Sequence, residues 1–125
     1  MNPDDPGALV NKGVFSIQAA QFCEAVSPLE RVLAMQTNNS QVELLLAAAY
    51  LGCDKTDLAE QHYRNLEKTF PDQLGVLTGL AEISWRKKDT NSALHYYLTL
   101  QTNPPPNPEL VKLINERLNS LKSPP

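Results

Sequence analysis

The sequence repeats itself with a fixed 34-residue step. Four positions keep this step: a small residue, a second small residue, a bulky residue, and a residue that is proline in three of its four copies. In that order they are Gly13, Ala47 and Ala81; Ala25, Ala59 and Ala93; Leu29, Tyr63 and Tyr97; and Pro3, Thr37, Pro71 and Pro105. A period of this size is typical of repeat proteins, in which each unit buries its apolar face only against its neighbours.

Each 34-residue window contains two helical patterns joined by a short break. In residues 40–73 the apolar spacing predicts one helix that ends near Gly52 and a second that runs to about Thr69. Pro71 then closes the window, because proline removes a backbone hydrogen-bond donor and tends to end or kink a helix. The same pattern along the chain predicts seven helices. They cover residues 6–20, 22–36, 40–52, 56–69, 73–87, 91–101 and 108–121.

Capping residues support several of these helix starts. Asp5 is predicted to be the N-cap of the first helix. The proline that follows it occupies the first helical position, where the backbone N–H makes no hydrogen bond within the helix, so its absence costs nothing. Ser40 with Glu43 three residues later predicts a capping box for the third helix. Thr56 or Asp57 is predicted to cap the fourth.

Prolines shape the second and the last helix. Pro28 lies inside the second helix, but apolar spacing continues at Leu29 and Val32, so we expect a bend and not an end. Residues 103–108 cannot be helical, because each proline disfavours the α conformation of the residue before it. Asn107 is then predicted to cap the last helix.

This period, with small residues early in each helix and a bulky residue four positions after the second small one, resembles the tetratricopeptide repeat. The resemblance covers residues 6–107 in three copies, 6–39, 40–73 and 74–107, followed by a capping helix at 108–121. It implies an all-α fold, a right-handed superhelical solenoid of antiparallel helix pairs, as a single domain over residues 1–125.

The resemblance also implies a groove on the inner wall, formed by the first helix of each pair. The positions that would line it are Val10, Val14, Ile17, Gln41, Leu44, Leu45, Ala48, Leu51, Thr78, Glu82, Trp85 and Arg86. A mostly aliphatic wall suits an apolar or amphipathic helix or an extended segment. Trp85 is the first candidate for a binding hot spot, with Glu82 and Arg86 as polar guides. The alternative is that Trp85 packs against the C-terminal helix and the aliphatic wall is core.

Members of this family that bind chaperones grip a C-terminal carboxylate with lysine, asparagine and arginine side chains. The matching positions here are Val10, Val14, Leu45, Gly75 and Gly79, and none has a side chain that can donate a hydrogen bond. We therefore expect no binding of chaperone tails through a carboxylate clamp.

The function that follows is a non-catalytic protein–protein interaction module. One alternative is a scaffolding segment of a larger array, or an assembly that self-associates through the groove, and a second is a secretion-type chaperone with three repeats. His62 and His95 lack the second ligand that a helical metal site uses, and no catalytic or phosphate-binding motif is present. We expect no enzyme activity, metal or cofactor.

Charge and hydropathy narrow the partners further. A net charge of -3 and a pI near 5.3 disfavour nucleic acid, which needs a basic face. No apolar run is long enough to insert into a membrane, and no signal peptide is evident, which favours a cytoplasmic location. Residues 2–5 stand in phase with residues 70–73, as the tail of a preceding repeat would, so the chain is alternatively a fragment of a longer array.

Cys23 and Cys53 are the only cysteines. The resemblance places both near turns of neighbouring repeats, so a disulfide between them is conceivable. We favour two free thiols, because disulfide frameworks generally use more cysteines than this.

Overall fold

The structure is a computed structural model that describes residues 5–122. Within that range the chain forms seven α-helices and no strand, which confirms the all-α class. The helices are α1 (Pro6–Gln18), α2 (Phe22–Met35), α3 (Ser40–Gly52), α4 (Thr56–Thr69), α5 (Leu74–Arg86), α6 (Thr90–Thr102) and α7 (Pro108–Lys122). The predicted repeat tail at residues 2–5 lies outside the described residues except for Asp5. None of the seven helices is both long and apolar enough to cross a membrane.

The helix starts keep the period of the sequence. The first helix of each pair begins at residues 6, 40 and 74, the second at residues 22, 56 and 90, and α7 begins at residue 108. The small and bulky residues that carry the period between residues 13 and 97 are all buried. The 34-residue period of the sequence therefore recurs in the positions where the helices begin and in the positions that are buried.

Two predicted caps are present and two are wrong. The backbone N–H of Ala8 donates to the side chain of Asp5 at 3.0 Å, and Asn107 accepts from the backbone N–H of Glu109 at 2.9 Å. The predicted capping box at Ser40 and Glu43 does not form. Asn39 caps α3 instead, because its side chain accepts from Val42 N at 3.1 Å while the Glu43 carboxylate binds side chains of α4. Thr56 and Asp57 are already inside α4, so neither is its N-cap. As predicted, α2 continues past Pro28.

The first helix of each pair is followed by one residue in the left-handed conformation. Ala20, Asp54 and Lys88 have φ angles of 59°, 63° and 59°. After α1, the N–H of Gln21 donates to the carbonyl of Ser16 at 2.8 Å, and the corresponding bond follows α3 and α5. This is the Schellman arrangement, in which glycine is usual because its lack of a Cβ removes the steric penalty.

We expect Ala20→Gly to raise the free energy of unfolding by about 0.5 to 1 kcal/mol. Alanine in the left-handed region costs about 1 to 2 kcal/mol, and the larger entropy of glycine in the unfolded chain offsets part of the gain. Urea unfolding followed by circular dichroism measures the change. Ala19→Gly is the matched control: its φ is -84°, so glycine there should only destabilise. A loss of stability in Ala20→Gly would contradict this account.

The described residues up to Thr69 form one compact unit, which we call unit 1. In it α1 packs against α2, α2 against α3, and α3 against α4, and α1 also contacts α3. Leu29, Val32 and Leu46 are at most 2% exposed and form part of its core. Gly13 allows the close approach of α1 and α2, because a Cβ there would lie 2.6 Å from Cγ of Leu29.

The described residues from Phe70 onward form a second compact unit, unit 2. Here α5 packs against α6 and α6 packs against α7. Its core includes Leu80, Ile83, Leu100, Ile114 and Leu118, each at most 2% exposed. The single domain and the superhelical solenoid stay predictions.

A disulfide joins Cys23 and Cys53, so the expectation of two free thiols is wrong. Cys23 lies in the first turn of α2 and Cys53 follows the last residue of α3, and their Cα atoms are 4.9 Å apart. Beside them Gly52 faces the ring of Phe22 so closely that a Cβ at residue 52 would overlap it. The packing of α2 on α3 brings the two thiols together, which a count of cysteines does not reveal.

Candidate binding surface

Unit 1 carries a row of partly exposed aliphatic side chains on α1 and α3, which we call the α1–α3 strip. Its members are Val10, Val14, Ile17, Leu44, Leu45, Ala48 and Leu51. The three residues on α1 share one face, because they are four and three positions apart. Their counterparts in the next repeat are Leu44, Ala48 and Leu51, and the two helices contact each other. The strip is separate from the face of α1 that is buried, at Leu9, Gly13 and Ser16.

The strip is apolar and lacks charged groups among its seven members. Gln41, which the sequence also placed in the groove, is exposed on the first turn of α3. The seven side chains are neither fully buried nor fully exposed, so part of their apolar surface stays in contact with water. Burying that surface against a partner would be favourable by about 25 cal/mol for each Å2 removed from water.

The four predicted groove residues of α5 lie in unit 2, and three of them are engaged by neighbouring side chains. Glu82 accepts from Nε of Arg86 at 2.7 Å and from Nη1 of Arg117 at 2.7 Å. The Arg117 guanidinium carbon lies 4.7 Å from the centre of the Trp85 ring. Thr78 donates to the carbonyl of Gly75 on its own helix. The strip and this group belong to different units.

Arg117 of α7 is the residue that sequence reasoning missed. Besides Glu82 and Trp85, it binds the hydroxyl of Tyr97 on α6 at 2.6 Å, and the Trp85 and Tyr97 rings meet edge to face with centroids 6.4 Å apart. One arginine thus joins the three helices of unit 2. No sequence signal singles it out, since α7 reads as an amphipathic helix whose neighbours are unknown until it packs. Trp85 therefore lies against the C-terminal helix, the alternative that the sequence left open.

The two arginines shift the ionisation of Glu82. Partial burial alone would raise the pKa of this carboxyl group, but the hydrogen bonds and positive charges of Arg117 and Arg86 outweigh it, and the pKa is lowered from its ordinary value. A carboxyl group whose pKa is lower in the folded state contributes stability above its unfolded-state pKa. That contribution is lost as the pH falls through the folded-state pKa.

We therefore expect Glu82→Gln to destabilise unit 2 at pH 7 and to destabilise it less at pH 3, because the contribution of the ionised carboxyl group is lost as the pH falls. Because the carboxyl group is partly exposed and screened by solvent, the loss at pH 7 should be no more than about 1 kcal/mol. Fluorescence of Trp85, the only tryptophan, follows unfolding at both pH values. Glu116→Gln, which alters an exposed carboxyl group of α7, is the control. An equal loss at both pH values would contradict the electrostatic explanation.

A cavity of about 380 Å3 opens beside Trp85 in unit 2. Two of its polar groups are bonded within the fold: the Ser84 hydroxyl donates to the carbonyl of Leu80 at 2.8 Å, and the Asp89 carboxylate caps α6 by accepting from Ser92 N at 3.2 Å. The lining residues are Ser84, Trp85, Lys88, Asp89, Thr90, Ala93, Ser120 and Leu121.

The histidines are part of packing contacts in the structure. Nδ1 of His62 lies 2.9 Å from the Glu43 carboxylate, and the His62 ring stacks on Tyr50 with centroids 5.7 Å apart. The Tyr50 hydroxyl donates to Glu30 of α2, and burial together with this carboxylate raises the pKa of Tyr50 to about 12. His95 contacts the ring of Tyr96. Between residues 5 and 122, no three His, Cys, Asp or Glu side chains are grouped to hold a metal ion.

Comparison with known protein families and with curated proteins finds no match to this chain.

Proposed function

We propose that this chain is a non-catalytic interaction module of the tetratricopeptide type, and that it binds an apolar or amphipathic segment of another protein on the α1–α3 strip. Three copies of a helix pair in equal phase, each with a left-handed residue after its first helix, support the repeat assignment. The solenoid arrangement of the pairs belongs to the same proposal.

The observation that carries the binding proposal is the partial exposure of the strip. Its seven aliphatic side chains are not among the fully buried residues of unit 1 and keep part of their surface in contact with water. An elongated apolar row along two neighbouring helices matches the anchors of an amphipathic helix, which recur every three or four residues. The net charge of -3 favours a partner segment with basic residues beside its apolar ones.

Trp85, Glu82 and Arg86 are weaker candidates for this surface than the strip. Arg117 already occupies the face of Trp85, and it also pairs with Glu82. A ligand that approached the ring would have to displace this guanidinium and break its bonds to two partners.

We expect Leu44→Asp to weaken binding of a model amphipathic peptide at least tenfold. A suitable probe is an amphipathic helical peptide of leucine and lysine, about five turns long, with all leucines on one face. It is titrated while backbone amide resonances are recorded. Tenfold corresponds to about 1.4 kcal/mol, within the range for one buried leucine anchor. Shifted resonances should cluster on α1 and α3.

Two controls make this test decisive. Leu113→Asp alters an equally hydrophobic, 36% exposed leucine on α7, outside the strip, and should bind like the wild type. A peptide of the same composition with its leucines scattered around the helix should bind at least tenfold more weakly. Equal affinity of Leu44→Asp and Leu113→Asp, with both folded by circular dichroism, would refute the proposed site.

A further inference from the structure

The cavity beside Trp85 in unit 2 has a counterpart in unit 1, because the two units share the 34-residue period of the sequence. Its lining residues follow a group of unit 1 residues by two such steps: Ser84, Ala93 and Ser120 correspond to positions 16, 25 and 52. The connections agree as well, since Ala20 and Lys88 are both left-handed with φ of 59°. Unit 1 therefore shows what fills the equivalent space there.

In unit 1 a phenylalanine ring fills this space. Phe22 is the first residue of α2, and its ring lies against the end of α3, where a Cβ at Gly52 would be 2.2 Å from Cγ of Phe22. The first residue of α6 is Thr90, whose side chain has no ring. In unit 2 a cavity of about 380 Å3 takes the place of the ring.

The spacing of helices in unit 2 explains why this space stays open. Arg117 of α7 corresponds to Ala49 of α3, which is small and fully buried. Some Cα atoms of α1 and α3 approach within 8 Å of each other, whereas none of α5 and α7 do along the two helices. The long side chain of Arg117 spans this wider gap and reaches Glu82 of α5 at 2.7 Å. The wider spacing leaves room beside Trp85.

We propose that this cavity binds a small monocyclic aromatic acid, whose ring takes the place that the Phe22 ring has in unit 1. Trp85, Ala93 and Leu121 supply apolar walls for the ring. Aromatic rings pack favourably against one another in offset or edge-to-face contact. A cavity of roughly 150 Å3 is sufficient for benzene, and ligand pockets generally start near about 300 Å3. The cavity therefore has room for one ring with a short substituent.

The charges at the cavity favour an acidic ligand. Among the described residues that line it, Lys88 is the only one with a cationic side chain, and it is exposed. The carboxylate of Asp89 already accepts the N–H of Ser92 at 3.2 Å. Lys122, which follows the lining residue Leu121, adds a second positive charge in the last turn of α7. A carboxylate on the ring substituent would therefore pair with the Lys88 ammonium.

The proposed ligand does not compete with Arg117. The Arg117 guanidinium lies over one face of the Trp85 ring, and Arg117 is not one of the residues that line the cavity. A ring in the cavity would therefore contact a part of Trp85 that the guanidinium leaves uncovered. All lining residues belong to unit 2 and the α1–α3 strip belongs to unit 1, so the inference is independent of the proposed function. Leu44→Asp should leave binding of the acid unchanged.

Titration of the whole chain with phenylacetate tests the proposal, because Trp85, the only tryptophan, lines the cavity and reports through its fluorescence. The emission should change to saturation with a dissociation constant of about 1 mM or tighter, as expected for a ligand of this size. Hexanoate has the charge without the ring and should bind at least tenfold more weakly. Phenylethanol has the ring without the charge and should bind about three- to fivefold more weakly, as for one exposed ion pair.

Two substitutions locate the ring and the charge. Thr90→Phe gives α6 the residue that α2 has, so its ring should fill the cavity, weaken phenylacetate binding at least tenfold and raise the urea midpoint of unit 2. Thr102→Phe, the same change at an exposed position at the other end of α6, should bind like the wild type. Lys88→Gln should weaken binding of phenylacetate about three- to fivefold but not that of phenylethanol. Lys112→Gln, on the exposed face of α7, should change neither.

Four results would contradict the proposal. The first is the absence of a saturable response to phenylacetate up to about 10 mM, tenfold above the expected dissociation constant. The second is equal affinity of the wild type and Thr90→Phe, with both folded by circular dichroism, which would place the ring elsewhere. The third is equal affinity for phenylacetate and hexanoate, because the cavity would then not recognise a ring. The fourth is unchanged binding of phenylacetate by Lys88→Gln, which would overturn the choice of an acid.

Discussion

Replacing both Cys23 and Cys53 by serine should lower the free energy of unfolding of unit 1 by about 3.5 kcal/mol. The disulfide closes a loop with a sequence separation of 30. In the chain-entropy account, a crosslink of that span removes enough freedom from the unfolded chain to stabilise the fold by between about 3 and 4.7 kcal/mol. The crosslink also holds the first turn of α2 to the end of α3, so the α1–α2 pair should be affected most.

Hydrogen exchange of backbone amides in α1 and α2, with and without a reductant, measures this effect in one protein. Reduction of the wild type should raise exchange in these helices to about the level of the double serine variant. The double serine variant treated with reductant is the control, and its exchange should not change. If reduction left exchange in α1 and α2 unaltered, the crosslink would contribute nothing to unit 1.

Leu29→Ala should destabilise unit 1 by about 3 to 4 kcal/mol. Leu29 is 0% exposed at the contact between α1 and α2, and truncation of a buried leucine loses its transfer free energy and leaves a cavity, with costs of about 2 to 5 kcal/mol. The value should fall in the upper part of that range, because the residue packs directly against the helix backbone at Gly13 and little can move into the space. Urea unfolding followed by circular dichroism measures it.

A double-mutant cycle separates the cost of the cavity left by Leu29→Ala from the cost of the close contact between residues 13 and 29. In the wild type, Gly13→Ala should destabilise, since the new Cβ would lie 2.6 Å from Cγ of Leu29. In the Leu29→Ala background the same change should stabilise by up to about 1 kcal/mol, because the clash is gone and alanine favours the helix. Leu58→Ala, at a leucine 39% exposed, is the control for truncation alone. If Gly13→Ala changed the free energy of unfolding in the same direction in both backgrounds, Leu29 would not be the reason that position 13 requires a small residue.

Helix positions could be predicted because their signals are local. Asp5 capped α1 as predicted, α3 covered the predicted residues 40–52, and Pro28 was tolerated inside α2. The errors concerned helix caps, where neighbouring side chains compete for the same backbone N–H groups. Asn39 took the cap that Ser40 was expected to form, because Ser40 is already the first residue of α3, and the carboxylate of Glu43 is bound by His62 and Asn65 of α4.

The candidate surface was predicted only in part. The aliphatic positions of α1 and α3 are partly exposed in the structure, and their role in binding stays a prediction. Trp85 could not be placed from sequence, because its environment depends on Arg117 of the last helix and on how α7 packs.

The sequence by itself determined the seven helices, their 34-residue step and the small and bulky residues that pack between them. Those features follow from periodicity, proline and side-chain size, which act over a few residues. Only the tertiary structure decided that Cys23 and Cys53 are joined and that Arg117 covers Trp85. Each of these depends on which helices come into contact, and contacts between distant residues are set by the packing of the whole unit and not by local propensity.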